Sequence, residues 1–499
     1  MILMKKKKYF IAALTFSLAA SSIITSCHKD EPAVDLESGG FPNAVGKIIL
    51  GKCAVSGCHN TQSAYANAGL DLSSWDKMFE GGNGGACVIP FRPDFSTCMY
   101  YVNTFPEFGV SLTPRMPYER EALSYDEVKT LRDWIAEGAP DRDGKIKFAD
   151  DPNRKKIYVT NQGCDEVAVI DEKTKLVMRY IHVGNNSAIE SPHQVRVSPD
   201  GQYWYVVFIN GDAIQKYRTS DDSYVGEANI THGSWNTFTI TADSRYAYCA
   251  DWTSPGRIKY VDLQSMTVLQ TYTGSNLIDW PHGTAVNPTS DTLWQGSSQG
   301  NFIYRILVSD PINPSAFDKI SVDGLTPNGA NQTRNPHDLV LSPDGKKVYV
   351  TCSVSNEVRV INAADTSIMS VIPTGNYPLE FAFSTSTPYA FVSCEEDTTL
   401  FPGYGKRGCI TVFNYQTDQF VANIDAGTYQ PHGIVVDDEK GLLYIASRNV
   451  NPSGPAPHHS SNCGGKNGYI TIVDIHTLQK VGGYRIELSV DPYTIAVRR

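Results

Sequence analysis

Residues 335–375, NPHDLVLSPDGKKVYVTCSVSNEVRVINAADTSIMSVIPTG, contain four short runs of β-branched and apolar residues separated by turn residues. The first two runs are joined by Ser-Pro-Asp-Gly at 342–345, and these residue types favour tight turns. Short runs bounded in this way are typical of antiparallel strands. The stretch therefore predicts one four-stranded sheet.

Similar stretches recur along the chain at intervals of roughly 40–55 residues, a period typical of propeller blades. Five begin with a comparable first strand and turn, at 191–207, 234–250, 280–296, 377–393 and 430–446. Residues 156–184 have three strands and lack the first one, whereas residues 491–499 form a lone first strand. Pairing the two ends would complete a seventh sheet without an open edge between them. We therefore predict an all-β seven-bladed propeller over residues 152–499, closed by the C-terminal strand.

The repeats also resemble a known family. The segments IYVTN at 157–161 and VYVT at 348–351 are similar to the repeats of YVTN-type β-propellers. The resemblance implies the fold and leaves the activity open, because one fold hosts many functions.

Histidine follows proline at the start of the first strand in four of the predicted blades. Equivalent residues of a rotationally symmetric ring lie around one mouth of the channel, and convergent imidazoles suit copper, zinc or iron. A purely structural role, in which each imidazole bonds a neighbouring blade, is the alternative. The four residues are His193, His282, His337 and His432. The same positions in the other blades hold Asn236, Leu379 and Tyr493, and His232, His458 and His459 could reach the same face.

A second pattern lies near the N-terminus, in GKCAVSGCHN at residues 51–60. Cys58 and His59 are adjacent, as at a c-type haem attachment site, but four residues rather than two separate Cys53 from Cys58. Met116, in a proline-flanked loop, is the candidate second axial ligand of the iron. A zinc knuckle and a Cys53–Cys58 disulfide are alternatives.

A helix is predicted after this loop, because Ser124 and Glu127 form a capping box and Gly138 ends the apolar periodicity. The order of the cysteine motif, the RMP loop and this helix resembles planctomycete-type cytochrome c domains. The resemblance implies a small all-α domain at residues 41–148 with one covalent haem c, held by Cys53, Cys58, His59 and Met116. Cys87 and Cys98 depart from the family pattern, and we expect them to form a disulfide.

The first 27 residues have the pattern of an export signal: a basic stretch at 5–8, an apolar stretch at 9–24 and ITSC ending in Cys27. They resemble a bacterial lipoprotein signal peptide, which implies that Cys27 is acylated and anchors the chain in a lipid bilayer. Residues 28–40 are polar and resemble the export tether of Bacteroidetes surface lipoproteins. The expected location is the cell envelope, at the outer membrane.

Composition is consistent with an exported globular protein. The chain has 499 residues, 41% hydrophobic and 19% charged, and its net charge of -10 gives no basic surface for nucleic acid. Eleven cysteines favour an oxidising compartment. We expect a disulfide between Cys394 and Cys409, with Cys164 and Cys463 as a second candidate pair.

Three functions follow as hypotheses. The first is a membrane-anchored c-type cytochrome that transfers electrons to or from a redox partner protein, with the propeller as a docking surface. The second is a redox enzyme with copper or another transition metal on the channel histidines, because the histidine pattern partly resembles nitrous oxide reductases and the domain pairing resembles a nitrite reductase. The third is a surface ligand-binding module. A lactonase-like hydrolase using Asp338 and a metal is a further alternative.

Overall fold

The computed structural model describes residues 39–273, 278–403, 405–448, 463–464, 467–483 and 485–498. Within these residues the chain forms a short N-terminal region with few helices, followed by a seven-bladed β-propeller. The predictions for Cys27, His458 and His459 fall outside the described residues. No helix among the described residues is long and apolar enough to cross a membrane.

The N-terminal region contains four short α-helices: α1 (Asn43–Ile48), α2 (Trp75–Met78), α3 (Thr97–Val102) and α4 (Tyr125–Ala136). A π-helical turn (Ile49–Cys53) extends α1, and two 3-10 turns lie at Ala64–Ala66 and Pro106–Phe108. The predicted helix is α4, and its capping box between Ser124 and Glu127 is present. Its apolar face is buried, as expected from the spacing of the apolar residues.

The propeller is built from antiparallel sheets that follow one another along the chain. The first three blades contain β1 (Lys156–Asn161), β2 (Glu166–Asp171), β3 (Val177–His182), β4 (Pro192–Val197), β5 (Tyr203–Phe208), β6 (Gly211–Arg218), β7 (Tyr224–Gly233), β8 (Trp235–Ile240), β9 (Tyr246–Asp251), β10 (Arg257–Asp262) and β11 (Thr267–Thr273). The fourth and fifth contain β12 (Pro281–Val286), β13 (Thr292–Ser297), β14 (Phe302–Leu307), β15 (Ala316–Ser321), β16 (Pro336–Leu341), β17 (Lys347–Cys352), β18 (Glu357–Asn362) and β19 (Ile368–Pro373). The last two contain β20 (Pro378–Phe383), β21 (Tyr389–Cys394), β22 (Cys409–Asn414), β23 (Gln419–Ile424), β24 (Pro431–Asp437), β25 (Leu442–Ser447), β26 (Tyr469–Asp474), β27 (Gln479–Lys480) and β28 (Ile486–Glu487), and the chain ends with β29 (Pro492–Val497).

The ring closes as the repeat pattern predicts. Strand β29 pairs antiparallel with β1, so that Ile157 lies opposite Val497 and Val159 opposite Ile495, and the first blade has the order β29-β1-β2-β3. The predicted seven-bladed propeller and its closure by the C-terminal strand are both confirmed.

Burial is greatest in the middle strands of the blades and lowest in the outer strands. Strands β1 and β2 are buried along their whole length, because each blade is covered on both faces by its neighbours. The outer strand β19 is largely exposed. Trp204, Trp235 and Trp294 are at most 1% exposed and fill the space between blades.

The N-terminal region packs on the first blade. Buried residues of the helical region and of blades 1 and 2 form one continuous apolar cluster. Arg92 donates to both carboxylate oxygens of Glu166 at 2.7 and 2.9 Å and to the carbonyl of Tyr180 at 3.1 Å. The ring of Phe95 lies 4.2 Å from that of Tyr180 on β3. The helical region therefore covers the outer strand of this blade and protects its edge.

One disulfide is present among the described residues, between Cys164 of the first blade and Cys463 of the last blade. It confirms the second candidate pair. Cys394 and Cys409 lie opposite each other on β21 and β22 but are thiols in the structure. The backbone N–H of Cys98 donates to the carbonyl of Cys87, and the thiol of Cys87 donates to the carbonyl of Met78. The predicted disulfides Cys394–Cys409 and Cys87–Cys98 stay predictions.

Candidate functional sites

The Cys53–His59 loop is closed by its own backbone. The N–H of Cys58 donates to the carbonyl of Val55 at 3.0 Å, and that of His59 donates to the carbonyl of Cys53 at 3.1 Å. The extra two residues between the cysteines are therefore absorbed in a compact turn. Both cysteines and the imidazole remain on one short, ordered segment.

The imidazole of His59 is held by a hydrogen bond to the backbone of Leu70. Its Nδ1 lies 3.2 Å from the carbonyl oxygen of Leu70, which can only accept, so Nδ1 carries the proton. The lone pair is then on Nε2. Metal-binding histidines are fixed in this way, with one ring nitrogen donating to a carbonyl and the other free to coordinate.

The surroundings of this loop are apolar and contain further sulfur. Cys53, Cys98, Met116 and Phe105 are partly buried and pack against the core of the N-terminal region. Burial, followed by the charge of the neighbouring Cys58, raises the pKa of Cys53 to about 12. Burial also raises the pKa of Cys98, with Cys87 and Cys53 as additional causes. The thiols of Cys53 and Cys98 are therefore neutral at pH 7.

Met116 differs from the other methionines of this region. Met78 and Met99 are 1% and 3% exposed and belong to the core, whereas Met116 is only partly buried. The backbone N–H of Met116 donates to the carbonyl of Tyr101 at 2.7 Å, which fixes the loop. In Arg115, Nη2 donates to the carbonyl of Arg120, while the buried Nη1 has no hydrogen-bond partner among the described residues.

The propeller channel contains the second site. The four predicted histidines converge, and together with Tyr493 they form a closed ring of aromatic side chains, called here the channel ring. The centroid distances are 6.3 Å for His193–His282, 3.9 Å for His282–His337, 5.8 Å for His337–His432, 3.7 Å for His432–Tyr493 and 4.2 Å for Tyr493–His193. Rotational equivalence of the strand starts thus predicts this geometry.

The imidazoles of the channel ring are neutral. Burial lowers the pKa of His282 to about 4, and burial is also the main cause of the lowered pKa of His193, His337 and His432. His282 Nδ1 donates to the carbonyl of His337 at 2.7 Å, and His193 Nδ1 lies 3.2 Å from Nε2 of Gln162. Arg448, paired with Asp491 and Glu395, lies over the ring of Tyr493 at 4.7 Å.

Buried polar atoms near the channel ring without a hydrogen-bond partner among the described residues include Gln162 Oε1, Asn236 Oδ1, His337 Nδ1 and His432 Nδ1. His232 is an exposed residue at the end of the outer strand β7 and does not belong to the ring. Within the described part of the chain, no three histidine, cysteine or acidic side chains are arranged to hold a metal ion. The metal prediction for these histidines stays a prediction.

A charged layer lies directly below the channel ring. Asp338 and Glu380 follow His337 and Leu379 on their strands, and Arg196 lies on β4. Burial raises the pKa of Asp338 to about 6, with Arg196 opposing the shift. Burial, followed by the charge of Asp338, raises the pKa of Glu380 to about 8.

Sequence reasoning identified the histidines and Asp338 but missed Glu380, Arg196 and Arg448. An alignment of the repeats offers a signal for Glu380, because it occupies the position after the strand start that Asp338 occupies one blade earlier. Neither arginine has such a signal. The position of each arginine relative to the site depends on how the blades are arranged around the closed ring.

No family model matches this chain. It is 21% identical over 257 residues to Antigen Lp49 of Leptospira interrogans, which covers 50% of this chain and 53% of that protein. The chain therefore spans about half the length of this curated relative.

The propeller is shared with solved structures. A functionally unknown protein from Desulfotomaculum acetoxidans has a TM-score of 0.54 and 14% identity, covering 68% of this chain and 98% of that one. Kuenenia stuttgartiensis hydrazine synthase has a TM-score of 0.49 and 16% identity over 63% of this chain and 91% of that one. At such identity the first likeness shows the fold alone, and the second supports nothing further.

Proposed function

We propose that this protein is an exported c-type cytochrome that transfers electrons, with its haem in the N-terminal region and its propeller as a docking surface for a redox partner protein. One observation carries the proposal. His59, directly after Cys58, directs its Nδ1 proton to the Leu70 carbonyl and so keeps Nε2 available as a ligand. In this proposal the N-terminal region is a planctomycete-type cytochrome c domain, and the propeller belongs to the YVTN type.

The side chains of the Cys53–His59 loop and its neighbours have the chemistry that a covalently bound haem requires. Cys53 and Cys58 supply the two thiols for thioether bonds, and His59 and Met116 supply an imidazole and a thioether for the iron. The unpartnered Nη1 of Arg115, beside Met116, suits a propionate carboxylate, because an arginine fork pairs well with carboxylates. A haem bound here supplies one-electron redox chemistry.

The chain's own residues set the environment for that chemistry. The aromatic rings of Phe105, Phe108 and Tyr125 pack against one another at centroid distances of 4.9–6.1 Å. The two phenylalanines pack against the same core as Cys53 and Met116. Apolar side chains beside a haem lower the local dielectric, which tunes a reduction potential.

Met116 provides the test of the proposed ligand set. We expect Met116→Leu to lower the reduction potential of the haem, on the order of 100 mV, because methionine ligation raises the potential and axial ligands tune it widely. The measurement is a spectroelectrochemical titration of the purified protein. Met99→Leu is the matched control, since Met99 is a core residue, and it should leave the potential and the visible spectrum unchanged. Equal potentials for Met116→Leu and wild type would exclude Met116 as a ligand.

The location is proposed from Cys27. We propose that its acylation anchors the protein in the membrane of the cell envelope. Cys27→Ala is expected to move nearly all of the protein from the membrane fraction to the soluble fraction, because acyl chains supply the attachment. Immunoblots of the two fractions measure this, with Cys249→Ala as a control for the loss of a thiol. Membrane association that survives Cys27→Ala would refute the anchor.

A further inference from the structure

We propose that the propeller channel binds a small organic monocation, an amine with an apolar body, whose ammonium group lies between Asp338 and Glu380 beneath the channel ring. This site is separate from the haem pocket and is independent of the proposed electron transfer.

The shape of the channel fits such a ligand. A cavity of about 820 Å³ runs along the inner strands, and its walls carry aliphatic and aromatic residues such as Val340, Phe381, Ile434 and Ile495. It includes Gln194, Asp338 and Thr494, which directly follow members of the channel ring on their strands, and Glu380, which follows Leu379 at the equivalent position. Apolar walls around a few polar groups are the usual composition of a small-molecule site.

With both carboxyls ionised, the site has one more negative charge than positive charges. Asp338 and Glu380 on β16 and β20 face a single guanidinium, that of Arg196 on β4, which acts electrostatically on both carboxyls. When both carboxyls ionise, one negative charge remains uncompensated, and burying such a charge is costly. The raised pKa of Glu380, about 8, indicates that a proton compensates it in the free protein. A monocation can replace that proton.

An unpartnered nitrogen points to the same ligand. The side chain of His432 is 1% exposed, and its Nδ1 lies 3.8 Å from Glu380 Oε1 without a hydrogen-bond partner among the described residues. Buried polar atoms normally have partners. An ammonium group bound at Glu380 brings N–H donors next to this nitrogen, which can accept one of them.

A metal ion fits the site less well. The described residues contain no group of three or more ligating side chains arranged for a metal, whereas hard cations take six or more oxygen ligands. The apolar walls also have no role in metal binding. They do have one for an alkyl group, because burying it releases water from both surfaces.

Binding changes the protonation of the site in a defined way. The ammonium enters with its proton, and Glu380 releases its own proton to the solvent, so one proton leaves for each cation bound. His337 and His432 are neutral, and the charge of Arg448 is compensated by Asp491 and Glu395, so these groups do not contribute. Binding below pH 8 therefore strengthens as pH rises.

The test is calorimetric titration of the full-length protein with n-hexylammonium, with neutral 1-hexanol as the matched ligand. We expect hexylammonium to bind saturably at one site. Hexanol should bind at least about tenfold more weakly, because a charge-assisted hydrogen bond usually contributes a difference of this size. Titration in buffers of different ionisation enthalpy should show release of close to one proton. Equal binding of both ligands, or no saturable binding of hexylammonium, would overturn the proposal.

Two variants act in opposite directions. Glu380→Gln removes the acceptor charge and should weaken hexylammonium binding about tenfold, whereas Arg196→Gln removes the competing cation and should strengthen it. Glu119→Gln, at an exposed position outside the channel, is the control and should bind as wild type. Thermal unfolding of each variant checks the fold. Unchanged affinity in both channel variants, or zinc that displaces hexylammonium from the site, contradicts the proposed ligand.

Discussion

If the N-terminal region binds haem as proposed, we expect the double variant Cys53→Ala/Cys58→Ala to lose all of its haem to extraction with acidic organic solvent. We expect the wild type to retain the proposed haem on the polypeptide after denaturation, because thioether bonds survive conditions that break iron–ligand bonds. Each single variant will retain at most one thioether bond. The measurement is haem staining of denaturing gels, together with the mass of the intact chain.

Cys98 provides a matched control. Cys98→Ala removes a thiol that packs against the same core as Cys53, and we expect the covalent haem to remain. If Cys98→Ala lost the covalent haem while the Cys53→Ala/Cys58→Ala variant retained it, the attachment site would have to be reassigned to Cys98. Haem that extracts freely from the wild type would remove the cytochrome proposal altogether.

Replacing Arg92 with alanine will destabilise the whole protein by about 3 kcal/mol, the usual cost of removing one partner of a buried ion pair. The side chains of Arg92 and Glu166 are 18% and 6% exposed, so the variant leaves the Glu166 carboxylate nearly buried without its guanidinium. It also removes the contact of the guanidinium with the ring of Phe95, 4.0 Å away. Chemical denaturation followed by tryptophan fluorescence measures the free energy of unfolding.

Lys129→Ala is the control for this prediction. Lys129 pairs with Asp133 on the exposed face of α4, with both side chains more than half exposed, and its loss should cost at most about 0.5 kcal/mol. Arg92→Lys should lie between the two, because an ammonium cannot reproduce the bidentate contact. A wild-type unfolding free energy in Arg92→Ala would show that this contact does not stabilise the interface.

The propeller could be predicted from sequence because its signals are local and repeated. The turn at 342–345 and its equivalents mark the blades, and the blades repeat one strand order, except that the last one has two short outer strands, β27 and β28, beside β26. The positions of His193 and His432 followed from that symmetry, since equivalent residues of a ring must face one axis. Tyr493 occupies the same position in the last strand, and its stacking on both histidines follows from the closure of the ring.

The contacts that break the symmetry could not be predicted in this way. Arg92 and Glu166 are 74 residues apart and meet only because the helical region packs on the first blade. Nothing in the local pattern around Arg92 indicates that partner. The charged layer is similar, because Arg196 acts on Asp338 and Glu380 from a different blade, and such proximity depends on the diameter of the assembled ring.

The pairing of β1 with β29 also has a consequence for biosynthesis. The strand that completes the first blade is made more than 300 residues after its partner, so the edge of β1 stays unpaired throughout synthesis of the ring. Closing so long a loop is entropically costly and slow. A nascent chain therefore remains in an open form while the ring is being synthesised. A product that stops short of residue 492 exposes that edge permanently and so presents itself to quality-control proteases.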